Sequence, residues 1–204
     1  MRAMRFLTWA SLAVAILCGA TVRVSPGRQS INEPRAIMRS STTSVDVTWS
    51  VQTSGIDTNL RGISAASAVD ANGAEHIAVW ASGSNGAILF SSDLGKNWKR
   101  LHVSGGESLD FRGIVAFDAK NAYVMSSGEG EKSRIYETKD GGETWKLEFT
   151  GKNPSFFLDA LACNSQCYAL SDPVDGKFVL LSDHNNGTWS EVPNDGMPAW
   201  YGRT

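Results

Sequence analysis

Thr138-Lys139-Asp140-Gly141-Gly142-Glu143-Thr144-Trp145 is the stretch on which the fold of this chain turns. An Asp in a hairpin turn accepts hydrogen bonds from backbone N–H groups just ahead of it. Gly142 adopts positive φ at no steric cost, and the closing Trp offers a large apolar body to a neighbouring layer. The same order of residues recurs at Ser91-Ser92-Asp93-Leu94-Gly95-Lys96-Asn97-Trp98. A worn third copy runs Ser182-Asp183-His184-Asn185-Asn186-Gly187-Thr188-Trp189, with Asn186, the next residue most tolerant of positive φ, where the others have Gly.

Working outward, each copy ends a longer unit. Leu60-Arg61-Gly62-Ile63, Phe111-Arg112-Gly113-Ile114 and Leu158-Asp159-Ala160-Leu161 open the three units. Trp98, Trp145 and Trp189 close them, 47 and then 44 residues apart, and Thr48-Trp49 reads as the tail of an earlier unit. Between opening and close lie short apolar and β-branched runs, separated by Gly, Asn, Asp and Ser, with no amphipathic helical period. About four strands in about 45 residues is the signature of a propeller blade. One such sheet has two apolar faces and cannot cover either alone, whereas repeated sheets packed face to face cover both. The expected class is therefore all-β: a partial β-propeller of about three four-stranded antiparallel blades plus a leading strand, over residues 45–204. In it Trp98, Trp145 and Trp189 pack between sheets, while Asp93, Gly95, Asp140 and Gly142 shape the turns.

Composition agrees. The chain has 204 residues, 20% charged and 42% apolar, with a net charge of −2. This is ordinary for a globular domain and excludes a polybasic nucleic-acid binder. Arg2 and Arg5 precede a mostly apolar run from Phe6 to Cys18 and small residues at 19–20. That pattern predicts a signal peptide over 1–20, too short to span a membrane comfortably; a retained anchor is the weaker alternative. A Ser-, Thr-, Arg- and Pro-rich flexible linker follows over 21–44. The expected location is periplasmic or secreted. Cys163 and Cys167 flank a turn-like tripeptide, and either a disulfide or two buried thiols fits them.

The turn copies resemble the Asp-box, or BNR repeat, of sialidases and other propellers. Together with the unit openings and Ser171-Asp172-Pro173-Val174-Asp175-Gly176-Lys177-Phe178, they are similar to exported bacterial relatives of the photosystem II assembly and stability factors. The resemblance implies a non-catalytic module that binds a protein partner and needs no cofactor. The alternative is a sialidase-like or other BNR-repeat glycoside hydrolase, which would make carbohydrate the ligand. A sialidase-like site resembles three arginines with a Tyr–Glu pair; here Arg61 and Arg112 stand at matching positions, but Asp159 stands at the third. If the first strand of each unit is innermost, these three ring one end of the axis, where guanidiniums can grip a carboxylate. The competing expectation is ordinary inter-blade ion pairs.

Other groups carry less. Asp172 and Asp175 lack calcium-loop spacing, and a tight turn is expected there. His76, His102 and His184 show no ligand spacing, so no metal site is expected, and Asn186-Gly187-Thr188 is read as a turn rather than a used sequon. Residues 45–204 supply about three blades and a fragment. A truncated product, two copies pairing through bare sheet faces, or ends capped by the linker are the expectations for so short an arc.

Overall fold

The computed structural model describes residues 48–174, 176–183 and 188–193. The expected leader and linker, Asp175, and the turn residues His184, Asn186 and Gly187 lie outside the described residues. The strands form three antiparallel sheets, each in plain sequence order. The first holds β1 (Leu60–Val69), β2 (Glu75–Gly83), β3 (Ile88–Ser91) and β4 (Lys99–Leu101). The second holds β5 (Asp110–Ala116), β6 (Ala122–Ser127), β7 (Arg134–Thr138) and β8 (Lys146–Thr150). The third holds β9 (Leu158–Cys163), β10 (Cys167–Ser171), β11 (Leu180–Asp183) and β12 (Trp189–Glu191). Among the described residues the single helical turn is 3-10, Gly130–Lys132. This is an all-β partial propeller of three four-stranded blades.

The strand period explains how the sheets stack. Successive side chains point to opposite faces, and every residue of β6 is buried. Ala122 and Val124 enter one core with Trp80, Ile88, Leu101 and Phe111 of the first seam. Tyr123 and Met125 enter another with Leu158, Ala169, Leu181 and Trp189. The middle sheet is thus covered on both faces, while the first keeps apolar side chains in solvent, Ile63 at 74% exposure and Val69 at 69%. β1 lies against β5, and β5 against β9, so the first strands are neighbours along the inner edge of the fan.

Register makes the repeat exact enough to number. β1 pairs Leu60 with Gly83 and then Gly62 with Ser82, bulging at Arg61. β5 pairs Phe111 with Ser126 and then Gly113 with Met125, bulging at Arg112. β9 pairs Leu158 with Ser171 and then Ala160 with Leu170, bulging at Asp159. A bulge inserts one residue into one strand and re-aims its side chain. Because Thr138 lies opposite Ala122, and Arg134 opposite Ser126, the Asp-box turns and the bulges sit at opposite ends of the blades.

One expectation needs correction and another falls partly outside the described residues. The expected leading strand starts at residue 45, and 45–47 lie outside the described residues; residues 48–59 hold no strand, and Trp49 is 93% exposed. No described sheet precedes β1 to receive that indole. The third Asp-box is also one residue out of step. β11 pairs Ser182 with Tyr168, as β7 pairs Glu137 with Tyr123, so Asp183 rather than Ser182 stands at the position of Ser91 and Thr138. Cys163 lies opposite Cys167 across a tight hairpin, with Cα atoms 4.1 Å apart, and the two sulfurs are bonded. Val174 and Lys177 bridge each other around Gly176, whose φ is 77°, so the segment after β10 is a turn.

Candidate functional site

At the bulge end the structure brings Arg61 and Arg112 onto one carboxylate. Arg61 Nε donates to Asp110 Oδ1 at 2.8 Å and Arg112 Nε to Asp110 Oδ2 at 3.2 Å. Ser84 Oγ completes the knot: it accepts from Arg61 Nε at 3.2 Å and donates to Asp110 Oδ1 at 3.1 Å. The Arg61 pair crosses from the first blade to the second. Arg112 cannot repeat that move, because Phe157 stands before Leu158 where Asp110 stands before Phe111. It turns back to the acid of its own strand instead. Both arginine side chains stay partly exposed, 41% and 44%, and both pairs use Nε. A planar guanidinium carries further N–H donors on its terminal nitrogens, in a geometry that matches a carboxylate. Two guanidiniums against one carboxylate leave this cluster net positive. Asp159 occupies the third bulge and is exposed, outside these pairs.

Sequence reasoning misses Asp110. The available signal is an acid two residues before Arg112, hidden because the equivalent positions hold Asn59 and Phe157.

At the opposite end the box carboxylates are spent on their own turns. Asp93 accepts from Asn97 N at 2.9 Å and Asn97 Nδ2 at 2.6 Å, and Ser91 Oγ donates to it at 2.8 Å. Asp140 accepts from Thr144 N and Thr138 Oγ1, each at 2.9 Å, and from Thr144 Oγ1. Donors aimed at the ionised form lower a pKa. The Asn97 backbone N–H, first among its partners, holds Asp93 down to about 2, and the Thr144 hydroxyl leads in holding Asp140 to about 2. Ser91 and Thr138 also accept the N–H of Gly95 and Gly142, each at 2.9 Å. Gly95 (φ 82°) and Gly142 (φ 83°) take the left-handed conformation, as do Leu94 (φ 62°) and Gly141 (φ 78°).

The closing tryptophans differ in company. Trp145 meets Trp80 edge-on at 6.3 Å, and Trp189 meets Tyr123 edge-on at 5.8 Å. Trp98 lies beside its own turn, where a Cβ on Gly95 would touch its ring and Gln52. His76 bonds Asp70 at 3.0 Å in the exposed β1–β2 turn, and the lowered Asp70 pKa owes most to that contact.

The family model described as photosynthesis system II assembly factor YCF48 matches residues 34–196. No curated protein matches the chain. The solved structure "YCF48 bound to D1 peptide" aligns at 17% identity and a TM-score of 0.37, covering 66% of this chain and 52% of that one. YCF48 from Cyanidioschyzon merolae aligns at 14% identity and a TM-score of 0.30, covering 66% and 56%. The chain therefore spans about half the length of these solved structures.

Proposed function

Since the chain belongs to the photosynthesis system II assembly factor YCF48 family, matched across residues 34–196, we propose that it is a non-catalytic propeller module that binds a protein partner. The observation that carries this reading is the Arg61–Asp110–Arg112 knot at the inner end of the blades. Planar guanidiniums recognise carboxylates through paired N–H donors, so the partner group that fits is an acidic side chain or a chain-terminal carboxylate. A YCF48 has been solved bound to a D1 peptide, which supports a peptide partner here. Export to the periplasm or medium is part of the proposal and rests on the leader-like residues 1–20.

The hydrolase reading is less well supported. Glycoside hydrolysis uses two carboxylates flanking one scissile bond, whereas Asp93 and Asp140 are committed to separate turns.

The test is fluorescence anisotropy with a labelled D1 peptide, in free-acid and C-terminally amidated forms. The Arg61→Ala, Arg112→Ala double variant is expected to weaken binding about tenfold or more, while Lys120→Ala leaves it unchanged. Unchanged binding in the double variant removes the arginine knot from the site. Turnover of a fluorogenic sialoside or glucan by the purified chain would overturn the non-catalytic reading.

A further inference from the structure

The two seams between neighbouring sheets can be compared position by position, and they differ in chemistry. At the first seam, Trp80 and its strand partner Phe90 face Trp145 and Thr138 of the next sheet. The rings pack edge-on, Trp80 to Phe90 at 4.8 Å and to Trp145 at 6.3 Å, and the Thr138 hydroxyl is spent on its own turn. At the second seam the same register positions hold Tyr123 and Glu137, facing Trp189 and Asp183. An aromatic plug has become a tyrosine with two carboxylates. The fold does not require those acids, because the first seam closes without them.

A cleft of about 480 Å³ opens there, with Tyr123, Glu137, Lys139, Gln166, Asp118 and Asp183 among its lining. Asp183 is only 5% exposed. Its Oδ2 accepts the Tyr123 hydroxyl at 3.0 Å, while Oδ1 is buried and has no hydrogen-bond partner among the described residues. Burial first, then Asp183 and Glu137, push the Tyr123 pKa up, so the phenol stays a neutral donor. Glu137 is paired with Lys139 at 3.1 Å, and Asp118 is engaged by Lys120 and Asn121 of its own loop. Three carboxylates against one ammonium leave the lining net negative. A buried carboxylate oxygen without a donor is costly, and an incoming donor relieves that cost.

We propose that this cleft is a second binding site, taking the cationic side chain of a basic residue, Lys or Arg, presented by a protein partner and donating to Asp183 Oδ1. The site is at the Asp-box end of the second seam, opposite the arginine knot, and does not depend on that knot.

The test is an NMR titration of the 15N-labelled full chain with acetyl-Gly-Arg-Gly-amide, its Lys counterpart and its citrulline counterpart, which keeps the shape of Arg without the charge. The Arg or Lys peptide is expected to shift the amides of Gln166, Cys167 and Asp183, and the citrulline peptide is not. Asp183→Thr installs the hydroxyl that the second copy carries at this position and is expected to weaken binding about tenfold or more. Glu137→Gln, which leaves the Asp183 side chain in place, is expected to weaken it several-fold and serves if the first variant unfolds. The proposal is overturned by equal binding of the citrulline peptide, by wild-type affinity in both variants, or by shifts confined to the Arg61 end. Absence of any shift with either cationic peptide overturns it too, as does calcium chloride alone saturating the same amides and displacing the peptide.

Discussion

Gly95 and Gly142 hold the same place in successive turns with nearly the same φ, 82° and 83°, but different surroundings. Replacing each by Ala separates the backbone cost from the packing cost. The left-handed conformation costs an L-residue about 1–2 kcal/mol, partly offset by the smaller entropy Ala loses on folding, so the shared cost is about 1 kcal/mol. At Gly95 a Cβ would sit 3.3 Å from Trp98 Cζ2 and 3.6 Å from Gln52 Cγ, and small adjustments suffice. At Gly142 it would sit 2.5 Å from Leu101 Cδ1 and 3.3 Å from Leu101 Cγ. Leu101 is itself 4% exposed in the first core, so it can yield only by disturbing that core. Overpacking of this kind costs about 1–3 kcal/mol. Gly142→Ala is thus expected to lose about 2–4 kcal/mol and Gly95→Ala about 1 kcal/mol. In urea unfolding followed by Trp fluorescence, with m of about 2 kcal/mol/M, the two midpoints should differ by about 1 M. Leu101→Val should partly rescue Gly142→Ala and leave Gly95→Ala unaffected, since coupling requires contact. Equal midpoint shifts, or a larger loss at Gly95, would refute the reasoning.

Three further outcomes are expected. Leu94 is 59% exposed at φ 62°, where the second copy has Gly141, so Leu94→Gly should relieve strain without losing packing and raise the urea midpoint, by about 0.5–1 kcal/mol in stability. Asp93 and Asp140, held to about 2 against an ordinary value near 4, keep their contribution above about pH 4 and lose it as the pH falls toward 2, because the unfolded chain takes up the protons first. Unfolding midpoints should fall across that window, and less steeply in Asp93→Asn, Asp140→Asn. Removing the Cys163–Cys167 link by a double Ser substitution opens a very short loop, which should cost about 2 kcal/mol; dithiothreitol should lower the melting temperature of the parent and leave the variant unchanged.

The repeat was legible because its turns are built from residues with few substitutes. An Asp that must receive backbone N–H groups, a Gly that must take positive φ and a Trp that must fill a seam leave a spaced imprint in any sequence. The first-strand bulges were legible only as positions: Arg61, Arg112 and Asp159 align, but nothing local says that Asp110 gathers two of them. The third turn misled because Ser182 resembles Ser91, and only the strand register shows that Asp183 has taken that place. The second-seam cleft was not legible. It joins Tyr123, Glu137 and Asp183 from three strands of two sheets, and Glu137 read alone is a polar residue in a short strand.

The asymmetry of the stack has a thermal consequence. Among the described residues the middle blade alone is sandwiched, with Val124 and Met125 both sealed from water on opposite sides of one strand, whereas the first and third blades each pack on one described neighbour. In a linear array where each layer is stabilised by those it touches, order frays from the margins inward. The backbone amides of β6 should then be the last to trade their protons for deuterium, and the peripheral layers should loosen first, long before the chain as a whole comes apart.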